Sequence, residues 1–303
     1  MAAWSLAGKV VLVTGGGGGI GAATARELRA RGAVPVLADY DPDALEATAR
    51  TFSPAPLTVV ADVVDAAACE AAVRETLERH GRLDVVWANA GIASGGPLAA
   101  TDPEAWALTI DVNLLGAFRT VRAALPAVTA RRGYVAVTAS TASFVHAPLM
   151  SAYCASKAGV EAMANALRLE VAHDGVDVGT IHPTWIATPM VQESESDSRA
   201  FQHMRALLRP PFDKTYPVER AARDIADGFE RRGRRICVPG FMRALHVLRA
   251  AATTRLFEAD IRRAAPEILR LWAEDAAERG RAGASVSDRT ARQLHGVGET
   301  VGT

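Results

Sequence analysis

The chain is poor in cysteine, carries no net charge and contains no long apolar run. Cys69, Cys154 and Cys237 are the only cysteines among 303 residues, an odd set lying far apart. Without paired short spacings they exclude a disulfide framework and a cysteine-based metal site, and they fit a reducing compartment. The 34 basic residues are balanced by 34 acidic ones. That balance speaks against a nucleic-acid partner, which demands a basic face. No stretch approaches the roughly 20 apolar residues of a membrane span. The opening "MAAWSLAGKVVLVTGG" has no basic segment followed by a long apolar one, so no signal peptide and a cytoplasmic location are expected. What is present, 49% hydrophobic and 22% charged residues, is the mix of a soluble globular protein with a sizeable core. The length suits one large domain or a domain with an appendage.

Residues 1–240 alternate strand and helix signals. Lys9–Val13, Val34–Asp39, "LTVVAD", "LDVVWANAG", "GYVAVTAS", "VDVGTIHP" and "RRICVPG" read as short, largely apolar strands, and helical stretches separate them. A helix is expected from Gly21 to Arg31, and two longer ones over Pro103–Ala130 and Ser151–Ala172. Such alternation needs crossover helices and a parallel sheet, so the fold class is doubly wound α/β. Between 190 and 217 the pattern lapses, and a mobile loop or substrate lid is expected. Residues 241–280 read as a helical extension, and 281–303, polar and Gly-rich, as a disordered tail.

"TGGGGGIG" (Thr14–Gly21) lies between the first strand and a helix. Backbone N–H groups at a helix start bind phosphate well, and glycine admits it without a Cβ in the way. Gly16, Gly18 and Gly21 satisfy G-x-G-x-x-G, while Thr14, Gly15, Gly19 and Gly21 satisfy T-G-x-x-x-G-x-G, so two registers are open. No G-K-[ST] closes a P-loop. Asp39 ends the second strand, where a carboxylate can accept hydrogen bonds from an adenosine ribose. The same charge repels a 2′-phosphate: two unit charges about 4 Å apart interact by roughly 4 kcal/mol at an effective dielectric near 20, and a quarter of that is about fivefold. NAD is therefore favoured over NADP. A bland alternative is that Asp39 caps a helix, although Asp41 is better placed to do so.

"YCASK" sets Tyr153 and Lys157 four residues apart on one helical face. A free phenol has a pKa near 10, so about one in a thousand is ionised at pH 7. A nearby ammonium and a nicotinamide cation favour the phenolate, and lowering the pKa by three units needs about 4 kcal/mol. Such a tyrosine can take a proton from an alcohol or return it to a carbonyl.

With Thr14–Gly21, Asp39, "NAG" at Asn89–Gly91, Asn113 in "DVNLLG", Ser140 in "VTAS" and the Tyr153/Lys157 pair in that order, residues 6–240 resemble the short-chain dehydrogenases/reductases. The resemblance implies a single Rossmann-type domain with a seven-stranded parallel sheet, and it selects the T-G-x-x-x-G-x-G register. It implies Tyr153 as general acid/base, Lys157 on the nicotinamide ribose, Ser140 on the substrate oxygen and Asn113 holding a relay water. It implies that Gly15, Gly18, Gly19, Ile20 and Gly21 line the cofactor phosphates, that Asp62 and Val63 bracket the adenine, and that Asn89, Gly91, Ile186 and Thr188 complete the cofactor site. Thr184 stands where the family often has glycine after the sixth strand, so a different local turn is expected. A homodimer or homotetramer joined through the two long helices is also implied.

By position, Phe144, His146, Met150, Trp185 and Met204 are candidate walls of an apolar pocket above the nicotinamide. A hydrophobic secondary alcohol or ketone, terpenoid, steroid-like or lipid-derived, follows as the expected substrate. His146 has no second ligand at a helical or hairpin offset, and no metal site is expected. The rivals are a catalytically silent NAD-sensing protein and a dehydratase or epimerase using bound NAD. For the extension three readings stand: a cover over the substrate entrance, a dimer-facing arm, or a basic surface on a membrane. The last is least favoured because acidic residues from Glu258 onward neutralise the basic stretch.

Overall fold

The computed structural model describes residues 4–285, with side chains as far as residue 280. Seven strands form one parallel sheet: β1 (Val10–Thr14), β2 (Val34–Asp39), β3 (Leu57–Val60), β4 (Val85–Ala88), β5 (Tyr134–Thr138), β6 (Asp177–Pro183) and β7 (Arg235–Val238), in spatial order β3-β2-β1-β4-β5-β6-β7. The helices between them are α1 (Gly19–Ala30), α2 (Pro42–Ala49), α3 (Ala66–His80), α4 (Pro103–Ile110), α5 (Gly116–Ala130), α6 (Ser151–Glu170), α7 (Pro189–Asp197), α8 (Arg199–Ala206) and α9 (Val218–Glu230). After β7 come α10 (Met242–Val247), a 3₁₀ segment (Arg249–Thr253) and α11 (Ala259–Ser285).

Strand side chains alternate between two buried faces. Val10, Leu12, Val36, Val135 and Val137 pack with Val73 of α3, Val121 and Val128 of α5, and Val160 and Leu167 of α6. Val11, Val13, Trp87, Tyr134 and Ile181 pack with Leu28 of α1 and Ile225 and Phe229 of α9. Both faces are covered, which is why these strands read as continuous apolar runs rather than alternating ones. Asp84, just before β4, joins the lower ends of the strands: it accepts from Val10 N (3.0 Å) and Arg82 Nε (2.7 Å), with Lys9 Nζ at 3.6 Å.

Strand order reverses at β1, whose neighbours are β2 and β4. The crevice between their C-terminal ends is where doubly wound sheets bind ligands. Asn89 ties this point together: its backbone N–H donates to Thr14 Oγ1 (3.1 Å), and its side-chain amide donates to Thr14 O (3.0 Å) and accepts from Thr138 Oγ1 (3.2 Å).

Three expectations need correction. The helix expected over Pro103–Ala130 is interrupted by a π-helical turn, Asp111–Leu115. One residue more than an α-turn needs is accommodated there, and Asn113 lies within it. The segment expected as a loop or lid at 190–217 holds two helices, α7 and α8. Ser198 caps α8 by accepting from Phe201 N (3.2 Å), and Arg199 Nε bonds Asp275 Oδ1 of α11 (2.7 Å), so long-range contacts stabilise what local periodicity did not announce. Finally, α11 carries helical backbone to Ser285, past a break at Gly280 (φ 74°), into the stretch expected as tail. The rest of that tail, 286–303, lies outside the described residues.

Candidate active site

The glycine loop is tightly enclosed: a Cβ on Gly16 would stand 3.0 Å from Leu37 Cβ and one on Gly17 2.9 Å from Asp39 Oδ2. Gly15 has φ +66° and a Cβ there would stand 2.9 Å from Ala90 Cα; Gly19 has φ +51°; a Cβ on Gly21 would stand 2.2 Å from Gly15 O. These three positions exclude side chains for reasons of conformation or space, and they are the glycines of T-G-x-x-x-G-x-G. Gly18 precedes the first turn of α1, extended and with no side-chain cap, and Ile20 is half-buried in that turn. The helix start therefore offers backbone donors with neither a capping oxygen nor an acidic side chain in competition.

Asp39, 4% exposed, accepts from Gly17 N (2.9 Å) through Oδ2 and from Asp41 N (3.3 Å) through Oδ1. Helix capping falls to Asp41, which accepts from Ala44 N (3.0 Å). A cleft runs from Gly15 and Asp39 past Asp62 and Val63 to Asn89 and Gly91. Its far wall is formed by Met190 and Glu193 of α7, two residues for which sequence reasoning had no signal. Thr188 closes over the loop: its Cγ2 would lie 3.5 Å from a Cβ on Gly19, and Ile186 behind it is buried. These features, a glycine cradle, an open helix start and a carboxylate at the end of β2, fit a dinucleotide.

At the other end of the cleft four side chains converge. Asn113 Oδ1 accepts from Ile92 N (2.8 Å), and its Nδ2 donates to Ile92 O (2.9 Å) and Ser156 Oγ (3.0 Å), so the π-turn is bound to the loop after β4 and to α6. Lys157 Nζ donates to Thr138 O (2.9 Å) and lies 5.6 Å from the Tyr153 ring centroid. The Ser140 hydroxyl hydrogen-bonds the Tyr153 phenol and accepts from Ala142 N (3.1 Å). A Cβ on Gly91 would come within 3.2 Å of Asn113 Oδ1 and 3.3 Å of Lys157 Nζ, so Gly91 keeps the space around both open.

Burial drives this pair toward neutrality. It pushes the Tyr153 phenol up to about 12, against a smaller opposing effect of Ser140, and the Lys157 ammonium down to about 8. The expectation that Lys157 lowers the tyrosine is thus corrected for the chain alone: burial dominates, and the group that opposes it is Ser140 rather than Lys157. A positive charge brought by a bound nicotinamide would act in the expected direction.

A second cavity is lined by Leu149, Met150, Phe201, Met204 and Trp272, with Ser94, Glu193, Ser194, Asp197, Ser198 and Arg279 also lining it. Met150 and Met204, two of the expected pocket walls, both line this cavity. Trp185 packs beside them, 5.6 Å from the Phe201 ring and under the Arg205 guanidinium. Phe144 does not line this cavity: it sits edge-on to His246 (4.8 Å) and near His182 (5.9 Å) in the packing between β6 and α10. His146 is exposed and does not line it either. Both were placed by proximity in sequence, but the turn after Ser140 carries them away. Trp272 was missed as a wall because nothing local indicated that α11 folds back onto α8. Thr184 takes no positive φ, and its N–H donates to Val238 O (3.0 Å), so glycine is not required there.

Glu161, His182 and His246 bring potential metal ligands within 4.8 Å of one another. The carboxylate already accepts from Ser143 Oγ (2.7 Å) and Arg249 Nη1 (2.7 Å) and pairs with His246 Nε2 (3.1 Å). A guanidinium on that carboxylate makes the cluster an ion-pair network rather than a cation cage.

The sheet order and the cleft at its switch point define a dinucleotide-binding oxidoreductase fold. The short chain dehydrogenase model matches residues 9–199, and the chain belongs to that family, an oxidoreductase family that uses nicotinamide cofactors. The chain is 35% identical over 212 residues to a (-)-trans-carveol dehydrogenase of Rhodococcus erythropolis, covering 64% of this chain and 76% of the relative. The solved structure of levodione reductase is 29% identical with a TM-score of 0.71, over 79% of this chain and 99% of that one. A short chain dehydrogenase/reductase from Burkholderia phymatum in complex with NAD is 25% identical with a TM-score of 0.71, over 86% and 96%.

Proposed function

We propose that the protein is an NAD(H)-dependent dehydrogenase interconverting a secondary alcohol and a ketone, with a hydrophobic substrate. The observation that carries this reading is the clustering of Ser140 with Tyr153 and of Lys157 with Asn113 beside Gly91, a residue that lines the dinucleotide cleft. A bound nicotinamide would supply the hydride acceptor or donor. Gly15, Gly18, Gly19, Ile20 and Gly21 would hold its phosphates, Asp39 the adenosine ribose, Asp62 and Val63 the adenine, and Asn89, Gly91, Ile186 and Thr188 the nicotinamide side.

Within the chain, Tyr153 exchanges a proton with the substrate oxygen. Ser140, hydrogen-bonded to the same phenol, donates to that oxygen as charge develops. Lys157, one helical turn on, steadies the ribose, while Ser140 opposes the burial that raises the phenol. Asn113 holds the π-turn so that a water can reach Lys157 from the Gly91 side. Asp39 supports NAD, because its charge would face a 2′-phosphate and no basic side chain follows it. Leu149, Met150, Phe201, Met204 and Trp272 exclude water from the reacting centre and favour a terpenoid-like or lipid-derived substrate. Exposed Leu115 and Phe118 near the start of α5 and Leu169 on α6 support a homodimer or homotetramer built on these helices.

A panel of alcohols followed by NADH absorbance tests the reading. Hydrophobic secondary alcohols should turn over with NAD, and turnover confined to small polyols would overturn the substrate class. Tyr153→Phe should lower kcat by roughly 10²–10⁴-fold while NADH binding, read by fluorescence, persists. An unchanged kcat in that variant would remove Tyr153 from the reaction. A chain that binds NAD yet turns over none of the panel would favour the sensor alternative.

A further inference from the structure

The extension after β7 presents two unlike surfaces. Its second part, α11, is buried on α8 through Ile268 and Trp272. Its first part, residues 241–257, is held by the inward side chains Met242, His246 and Ala252 and by the Arg249–Glu161 pair. Around them stand Phe241, Val247, Leu248, Leu256 and Phe257, with Val247 72%, Leu248 64% and Leu256 88% exposed. Monomeric proteins commonly expose such residues singly; here five large ones fall within 17 residues, Phe241 with its ring 6.3 Å from that of Phe212. Arg243 and Arg255 lie among them, exposed, and no acidic residue occurs between 241 and 257.

We propose that this surface rests on an anionic lipid bilayer, with the apolar side chains entering the headgroup layer and Arg243 and Arg255 pairing with lipid phosphates. The mixture of protruding apolar groups and unopposed cations is the chemistry that such an interface selects. No described helix is long and apolar enough to cross a membrane, so the segment lies on the surface.

The acidic residues that follow do not cancel this charge, because they are committed elsewhere. Glu258 pairs with Arg262 (3.4 Å), Asp260 with Arg209 (3.0 Å) and Arg263 (2.8 Å), and Glu267 with Arg270 (2.6 Å). A second copy is a poorer occupant, since pairing this surface with itself would bring two sets of these arginines into one contact with no acidic residue of 241–257 to offset them. Residues 286–303 hold one leucine and no aromatic residue, too little apolar surface to cover five large side chains. The docking is independent of the reaction proposed above and stands or falls without it.

Co-sedimentation of the full chain with vesicles tests this. Phosphatidylcholine vesicles containing phosphatidylglycerol should carry the protein down at low salt, and phosphatidylcholine alone should carry much less. A cation near an anionic surface is worth roughly fivefold in partitioning, so Arg243→Glu with Arg255→Glu should weaken binding at least roughly 25-fold. Leu248→Glu with Leu256→Glu should abolish binding even at low salt. Both double variants should keep the parent melting temperature and oxidoreductase turnover, since none of these residues touches the cleft or the cavity. Equal binding of the parent and the leucine variant, or no binding of the parent to anionic vesicles, would overturn the proposal. A parent oligomer that light scattering shows to dissociate in the leucine variant would assign the surface to a second copy instead.

Discussion

At the scale of single residues, Asp39 and Gly21 do different work in one cleft. Asp39 braces the glycine loop through Gly17 N and presents its charge at the end of β2. Asp39→Ala should therefore shift kcat/KM toward NADP by at least about fivefold, the discrimination that a partly screened charge supplies. It should also loosen the loop, so NAD affinity falls as well; steady-state kinetics with both cofactors check both effects. Gly21 has no such latitude. With Gly15 O at 2.2 Å from the added Cβ, Gly21→Ala must displace backbone, and both dinucleotide binding and melting temperature should fall. Of the five consecutive glycines, Gly15 and Gly19 are required by their positive φ, and they flank the spacers that the sequence motif leaves free. This much was legible beforehand, because a motif is a record of local sterics. The direction of the Tyr153 pKa was not legible, because burial is not a local property.

At the scale of elements, α6 carries more than its tyrosine and lysine. Glu161, four residues past Lys157, takes Ser143 on one side and His246 and Arg249 of the extension on the other, linking α10 to the turn that presents Ser140. Glu161→Gln keeps the shape but leaves Arg249 without its counter-charge. Because Arg249 is half exposed, a loss of about 2 kcal/mol is expected, below the range for fully buried pairs, and a chemical denaturation midpoint measures it. The same cluster sets a pH dependence. Burial holds His182 and His246 below the ordinary imidazole value, while for Glu161 the Ser143 hydroxyl and the two histidines overcome burial and hold its carboxyl below the usual range. Arg235, which also acts on both imidazoles, lowers them further. A depressed histidine stabilises the fold above the unfolded imidazole pKa near 6.5 and loses that contribution as pH falls below it; a depressed carboxyl loses its own share lower still. Melting temperature should thus decline from about pH 6.5 downward, and His182→Asn should flatten the upper part of that decline.

At the scale of the whole molecule, the extension completes the cavity proposed for the substrate. Trp272 on α11 stands with Phe201 and Met204 of α8, and Ser198 and Arg199 at the start of α8 bond Asp275 one turn further along α11. Trp272→Ala should cost about 3 kcal/mol of stability, at the lower end for a buried aromatic truncation, and should lower KM for bulkier alcohols more than for small ones. A kinetic series of alcohols of increasing size reads this out; an unchanged KM ranking would remove Trp272 from the cavity wall.

Period and punctuation were enough to place seven strands, most of the helices and the order of the catalytic motifs, since backbone sterics and side-chain alternation act over a few residues. Docking of α11 on α8, the meeting of Glu161, His182 and His246, and the departure of Phe144 and His146 from the cavity were decided only when distant segments packed. Those outcomes depend on which surfaces bury each other, and helical spacing around Ile268 and Trp272 names an apolar face without naming its partner. Local chemistry wrote the glycine-loop cleft into the chain, whereas the cavity proposed for the substrate exists only as a contact between elements far apart in sequence.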